Sequence, residues 1–404
     1  MSSFKNLGRV GTLLVLAVAA SEVLIMISPF AGFFYASARF EPLLGILSES
    51  PLTAWLDGFF LNHSVVTTSA FLEWQRVIGR VVFALGLWGF IISAFQVYGK
   101  KMIWGGVAKG LFYRFSRHPQ YLCLGIAGWG LQAIWPRFLL LGIWVTMLFL
   151  YAGLARFEEW RMEERYGEEY RQYAAGKGAF LPGSPIRRLF EATLGRFHSR
   201  AAGWIAAYVL CLAFAFSFAH LLRGYTQAHT AILARPEQNA TVISAWPQPH
   251  QWTARIFQAA VSDRQVRRHL QGRGKHPVVA TILPARYRMT GMYYKMPKEQ
   301  APPQRDAATR RIARIVVGFL VPWSRPKDFM GVDPDTTKDA VQVVFSRAEK
   351  PYKEDLTLEE ALDASVRLTP LVVAYVEPED GKLARVEVPL PQNNWGPNVV
   401  MPLM

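Results

Sequence analysis

The sequence predicts an all-α helical membrane core of about five transmembrane helices, followed by a soluble α+β C-terminal domain. Three features predict it. Apolar runs of bilayer length crowd residues 1–223, Lys and Arg gather beside those runs, and from residue 224 the pattern changes to short strands punctuated by proline clusters. The chain of 404 residues is 51% hydrophobic, and this uneven distribution is what separates a membrane part from a soluble one.

A helix needs about 20 apolar residues to cross the hydrocarbon core. The runs 10–36, 77–98 and 201–222 meet that length, while 121–135 and 138–155 are shorter, free of charge and divided by Trp135-Pro136-Arg137. The last two therefore read as a tight helical hairpin. Glu22 in the first run is a functional candidate, because a carboxylate in hydrocarbon is costly. Lys5, Arg9 and Ala17-Val18-Ala19 also resemble a secretory signal, but the apolar run continues to Ala36 and favours an uncleaved anchor.

Basic residues fill 99–118 and 156–200, whereas 37–74 holds only Arg39 and the hairpin tip only Arg137. The positive-inside rule then puts the basic loops in the cytoplasm, in a bacterial inner membrane, with residues 224–404 on the periplasmic face. Residues 184–200 have the apolar spacing of a helix lying on lipid headgroups. The C-terminal domain, of unknown role, is expected to hold strands at 278–283, 315–321, 341–345, 371–376 and 384–388, with helices at 251–269 and 356–365.

The net charge of +15 argues for anionic membrane lipids rather than nucleic acid, because residues 1–223 place their 21 Lys and Arg largely beside apolar spans. Two cysteines, Cys123 and Cys211, are too few for a disulfide framework or a cysteine zinc site. His250, His269 and His276 lack metal-ligand spacing, so no metal is expected.

Chemistry concentrates at the two ends of the hairpin. One end is Gly110-Leu-Phe-Tyr-Arg-Phe-Ser-Arg-His-Pro-Gln-Tyr-Leu122; the other is Phe157-Glu-Glu-Trp-Arg-Met-Glu-Glu-Arg-Tyr-Gly-Glu-Glu-Tyr-Arg-Gln-Tyr173, closing at Phe180-Leu-Pro182. A hairpin returns both ends to one side of the bilayer, so they can build one site. Pro119 holds His118 in extended backbone and suits the first turn of the next helix, whose free N–H groups face the same mouth. Glu158 and Glu159 at the membrane boundary need a cationic partner, and residues adjacent on a helix point about 100° apart, so at most one of them aims fully at a shared site. The aromatic faces of Tyr113, Tyr121 and Trp160 attract a cation. Together these suit a ligand with an adenine ring, a sulfonium and an amino-acid end. Glu163, Glu164, Glu168 and Glu169 read as a solvated face paired with Arg161, Arg165 and Arg171, and Tyr166, Tyr170 and Tyr173 as residues of the membrane interface.

With Tyr166-Gly-Glu-Glu-Tyr170, Tyr173 and Leu181-Pro182 added, residues of about 75–185 resemble the membrane methyltransferase family of isoprenylcysteine carboxyl methyltransferases and phospholipid N-methyltransferases. The resemblance implies an enzyme that binds S-adenosyl-L-methionine at the cytoplasmic face and methylates a lipophilic or lipid-linked acceptor, a carboxylate or an amine. It implies that Tyr113, His118, Pro119, Gln120 and Tyr121 line the cofactor, that Glu158 holds its amino group and that Glu159 braces neighbouring loops. Arg117 and Arg156 are the candidates for orienting an anionic acceptor. Gly105-Gly106 and Gly176-Lys177-Gly178 depart from the isoprenylcysteine enzymes, at positions that concern the acceptor rather than the cofactor. The rival readings are an NADPH-dependent reductase of the sterol-reductase-like membrane fold and a non-enzymatic membrane scaffold for the C-terminal domain.

Overall fold

Proline and glycine punctuation sets the order of the helices. The computed structural model describes residues 24–32, 46–61, 68–99, 110–182, 185–196, 199–245, 248–285 and 340–389, apart from positions 26, 48 and 273. Helix α1 covers Ala70–Gly99, α2 Pro119–Ile134, α3 Phe138–Ala174, α4 Pro185–Thr193 and α5 Arg200–Ala228. Pro119 opens α2, and Pro136 separates it from α3. Among the described residues three helices are long and apolar enough to cross a membrane: Ala70–Val97, Phe138–Ala174 and Arg200–Ala228. Of the five expected spans, 10–36 lies mostly outside the described residues, as does Glu22, and 121–135 forms the 16-residue α2. At 1.5 Å per residue α2 is about 24 Å long, short of a full crossing.

Two compact units divide the chain, one of Met1–Ala38, Gly79–Gln132 and Gly142–Ala215, the other of Arg39–Ile78, Ala133–Leu141 and Phe216–Met404. In the first, small residues bring helix backbones together, as membrane helices require when lipid offers no hydrophobic drive between them. A Cβ at Gly86 of α1 would lie 2.5 Å from the Ala127 nitrogen of α2, and one at Gly130 of α2 would lie 2.7 Å from the Gly79 carbonyl of α1. Gly128 makes room in the same way for Trp144 and Met147 of α3. Helix α5 exposes Ile205, Val209, Phe214 and Leu221 on more than one side, as a helix of apolar composition does when lipid surrounds it.

In the second unit the hairpin tip is tied to residues 57–60. The Phe60 N–H donates to the Pro136 carbonyl (2.9 Å) and the Phe138 N–H to the Gly58 carbonyl (3.1 Å). Arg137 pairs with the buried Asp57 at 2.6 Å and lies over the Phe59 ring. Arg223, buried near the end of α5, donates to the carbonyls of Phe59 and Leu362. Gly58 abuts the backbone of Ala364 so closely that no Cβ would fit.

The same unit holds a six-stranded sheet in the order β1 to β6: Ile232–Arg235, Ala240–Ser244, Val278–Pro284, Val341–Glu349, Arg367–Val376 and Leu383–Glu387. All neighbours are antiparallel except β2 and β3, which are parallel. The β2–β3 crossover carries α6 (His250–Ser262) and α7 (Arg264–Gln271), whose Ile256, Phe257, Val266 and Leu270 are buried in the sheet's core. The expected helix 251–269 thus breaks at Asp263, whose carboxylate caps α7 by accepting from the N–H groups of Gln265 and Val266. The expected helix 356–365 is only the 3-10 turn Glu360–Leu362, although Thr357 and Glu360 form a reciprocal capping box. Strands β3 to β6 fall where alternation placed them; the expected strand 315–321 lies outside the described residues.

Candidate functional site

Local backbone rules assemble the site. Ser116 bridges to Gly178, and the N–H groups of Arg117 and His118 donate to the carbonyls of Gly178 (3.1 Å) and Ala179 (2.9 Å). His118, the residue before Pro119, is thereby fixed at the start of α2. On the other arm Gly167 takes φ 50°, a conformation that favours glycine, and breaks α3 within Tyr166-Gly-Glu-Glu-Tyr170. The segment beyond the break buries Tyr170 and Tyr173 against each other. The Tyr173 hydroxyl donates to the Tyr113 carbonyl (3.1 Å), and the Lys177 ammonium donates to the same oxygen (3.3 Å) while lying over the Tyr173 ring.

The imidazole of His118 is buried between two carboxylates. Its Nδ1 lies 3.3 Å from Glu158 Oε2 and its Nε2 lies 3.1 Å from Glu159 Oε1. Arg117 reaches the same Glu159 oxygen at 3.2 Å, and the Tyr121 hydroxyl donates to Glu158 Oε1 at 2.5 Å. Burial disfavours the imidazolium, yet the two glutamates outweigh it and hold the His118 pKa above the ordinary histidine value. Tyr121 stacks on His118 (5.8 Å) and on Tyr151 (4.8 Å), and the Tyr113 hydroxyl donates to Gln120 Oε1 (2.9 Å).

The structure thus brings together Tyr113, Arg117, His118, Pro119, Gln120, Tyr121, Glu158 and Glu159. Both glutamates face the imidazole, because its two nitrogens bridge the angle between adjacent helical positions. Arg156 does not join the cluster: it is exposed, its guanidinium lies over the Trp204 ring at 5.7 Å, and it acts on Glu159 through its charge. Trp160 also points away, 60% exposed and beside Phe157. Sequence reasoning missed Tyr151, which stacks on Tyr121 and whose signal was a lone tyrosine in the apolar run 138–155; Phe180, at the close of the acidic-aromatic segment, packs on His118.

Glu158 keeps 40% of its side chain exposed, so a ligand's cation can reach it past the partners already in place. The buried Nε of Arg117 makes no hydrogen bond. A carboxylate, a guanidinium donor and aromatic faces within one cluster fit the amino-acid end and the sulfonium of S-adenosylmethionine.

Comparison with known proteins bears on this region. Residues 74–169 match the family model described as phospholipid methyltransferase. A methanethiol S-methyltransferase of Pseudomonas deceptionensis is 28% identical over 141 residues, 32% of this chain and 50% of that protein. Methanethiol S-methyltransferase 1 of Bradyrhizobium diazoefficiens is 29% identical over 103 residues, 23% of this chain and 35% of that protein. The chain spans half or less of the length of these curated relatives. No solved structure matches. The segment similar to the phospholipid methyltransferase model, residues 74–169, carries both arms of the His118–Glu158–Glu159 cluster.

Proposed function

We propose that the chain is an S-adenosylmethionine-dependent methyltransferase whose cofactor site lies at the cytoplasmic end of the hairpin and whose acceptor is a lipophilic thiol. The observation that carries the cofactor reading is the convergence of His118, Glu158, Glu159 and Arg117 from both arms. Glu158 would hold the amino group, Arg117 the carboxylate, and Tyr113 and Tyr121 the aromatic surroundings of the sulfonium. Bound there, S-adenosylmethionine supplies an electrophilic methyl group that a nucleophile takes in one in-line displacement, a reaction governed by alignment and exclusion of water.

The acceptor follows from what the cluster does not offer. Each carboxylate faces one nitrogen of His118, and both imidazole nitrogens are engaged, so none of the three serves as a ready general base. An acceptor that ionises by its own acidity needs none. Carboxylates do so outright and a thiol through its small but very nucleophilic thiolate fraction, whereas an amine stays protonated at neutral pH. Of the two, a thiol accords with the names of the relatives, and a lipophilic one with a site at the membrane boundary.

Purified full-length protein in detergent, given methyl-labelled S-adenosylmethionine, should yield labelled thioether from a short alkyl thiol. Under the same conditions a prenylcysteine carboxylate and phosphatidylethanolamine should stay unlabelled. Label in either of those and not in the thioether overturns the acceptor. Thermal stabilisation by NADPH and not by S-adenosylhomocysteine overturns the cofactor in favour of a reductase. No ligand response and no transfer favour a scaffold. Protease added outside intact spheroplasts should trim residues 224–404; full protection reverses the proposed periplasmic placement.

A further inference from the structure

We propose that His118 rests as an imidazolium standing in for the cofactor's ammonium between Glu158 and Glu159, and that cofactor binding expels its proton to solvent. This rests on the cofactor reading above and adds how the site holds itself when empty.

The geometry allows little else. A neutral imidazole has one N–H and one lone pair. Here each nitrogen faces a carboxylate oxygen, at 3.3 and 3.1 Å, so a neutral ring would set a lone pair against one of the anions. Only the doubly protonated ring donates to both. The groups facing it are Glu158 and Glu159 of α3, with Tyr170 of α3 electrostatically coupled to both. Arg117 stands beside it in the chain, Arg156 acts on Glu159, Tyr121 stacks on the ring from α2, and Phe180 closes the remaining side. The cluster of Arg117, His118, Glu158 and Glu159 is then neutral: two cations and two carboxylates.

S-Adenosylmethionine brings an ammonium, a sulfonium and a carboxylate, a net charge of +1. Admitted unchanged, it would leave the desolvated cluster with an uncompensated cation, which is costly. When the ammonium takes the place of the imidazolium at Glu158, loss of the Nδ1 proton restores neutrality, and His118 keeps its Nε2–H donated to Glu159. The proton goes to solvent and no covalent bond changes. S-Adenosylhomocysteine, a net-neutral zwitterion, should drive less release, and 5′-methylthioadenosine, which lacks the amino-acid end, none.

Isothermal titration of the full-length protein in detergent tests this, at one pH in phosphate and in Tris, whose ionisation enthalpies differ widely. At pH 5.5, about a full unit below the ordinary histidine value, S-adenosylmethionine should release close to one proton. Its affinity should rise about tenfold per pH unit until the folded-state pKa of His118 is passed. His118→Gln should bind without that slope. Equal apparent enthalpies in the two buffers, with a flat pH dependence of affinity in the wild type, overturn the proposal even while binding upholds the cofactor reading. Absence of binding by any of the three ligands overturns both. If His118→Gln fails to fold, the wild-type buffer comparison and the contrast with 5′-methylthioadenosine decide the matter alone.

Discussion

Gly130→Ala tests the packing that sets α2 against α1. The added Cβ would sit 2.7 Å from the Gly79 carbonyl oxygen and 2.7 Å from Phe83 Cα, where ordinary contacts begin near 3.4 Å. These neighbours and the still nearer Phe83 nitrogen are all backbone, so no side chain can swing aside and the two helices must separate by about 1 Å. Overpacking of this kind costs about 1–3 kcal/mol. The gain in helix propensity from Gly to Ala returns about 1 kcal/mol at most. Gly153→Ala on α3 is the matched control, since a Cβ there meets nothing within 4 Å and keeps the propensity gain. The two variants should therefore differ by roughly 1–3 kcal/mol, with Gly130→Ala the less stable. Reversible unfolding in mixed detergent, with tryptophan fluorescence as the probe, measures the difference. Equal stability of the two variants would refute the close crossing of α1 and α2.

Tyr121→Phe removes the hydroxyl that donates to Glu158, a bond to a charged acceptor worth about 1.5–3 kcal/mol, and should weaken S-adenosylhomocysteine binding at least about tenfold by titration. The His118 pKa is raised in the folded protein, so its ion pairs stabilise the fold below the unfolded value near 6.5 and are lost as pH rises through the folded value. The thermal midpoint of the ligand-free protein should accordingly fall between pH 6 and pH 9, and this component should vanish in His118→Gln. Arg137→Met strips the buried Asp57 of its nearest partner, which costs about 3–5 kcal/mol while the carboxylate is ionised. Burial already raises the Asp57 pKa against the pull of Arg137 and Arg367, and the variant raises it further. A raised acid pKa favours the folded state as pH falls, so the deficit in thermal midpoint should be larger at pH 8 than at pH 5.

The site was legible because its parts obey local rules. A histidine before proline must be extended, a hairpin must return its ends to one side, and carboxylates at a membrane boundary must find a cation. These rules brought His118 and Glu158 together before any coordinate. They could not say that Glu159 would share the imidazole, because the approach angle of the ring depends on how Ser116 and Arg117 pair with Gly178 and Ala179. The exposed Arg156 and Trp160 show the limit of spacing as a guide: each lies within two residues of the glutamate pair and each turns away. The packing of Tyr170 on Tyr173 was not legible, because the positive φ of Gly167 redirects the chain and a Gly inside an acidic helical run does not announce its dihedral. In the C-terminal region alternation found β3 to β6 but not β1 and β2, which lie next to the end of α5, where the sequence does not show where the helix stops. The burial of Asp57 and Arg223 was illegible for a simpler reason, since their partners are 80 and 164 residues away along the chain.

Binding of S-adenosylmethionine to Glu158→Gln, set beside the wild type and the exposed control Glu163→Gln, is the most direct measurement. Wild type and Glu163→Gln should bind alike, and Glu158→Gln should lose about ten- to a hundredfold in affinity, the worth of one charged hydrogen bond. Unchanged affinity in Glu158→Gln would contradict a cofactor site built on the hairpin's two ends.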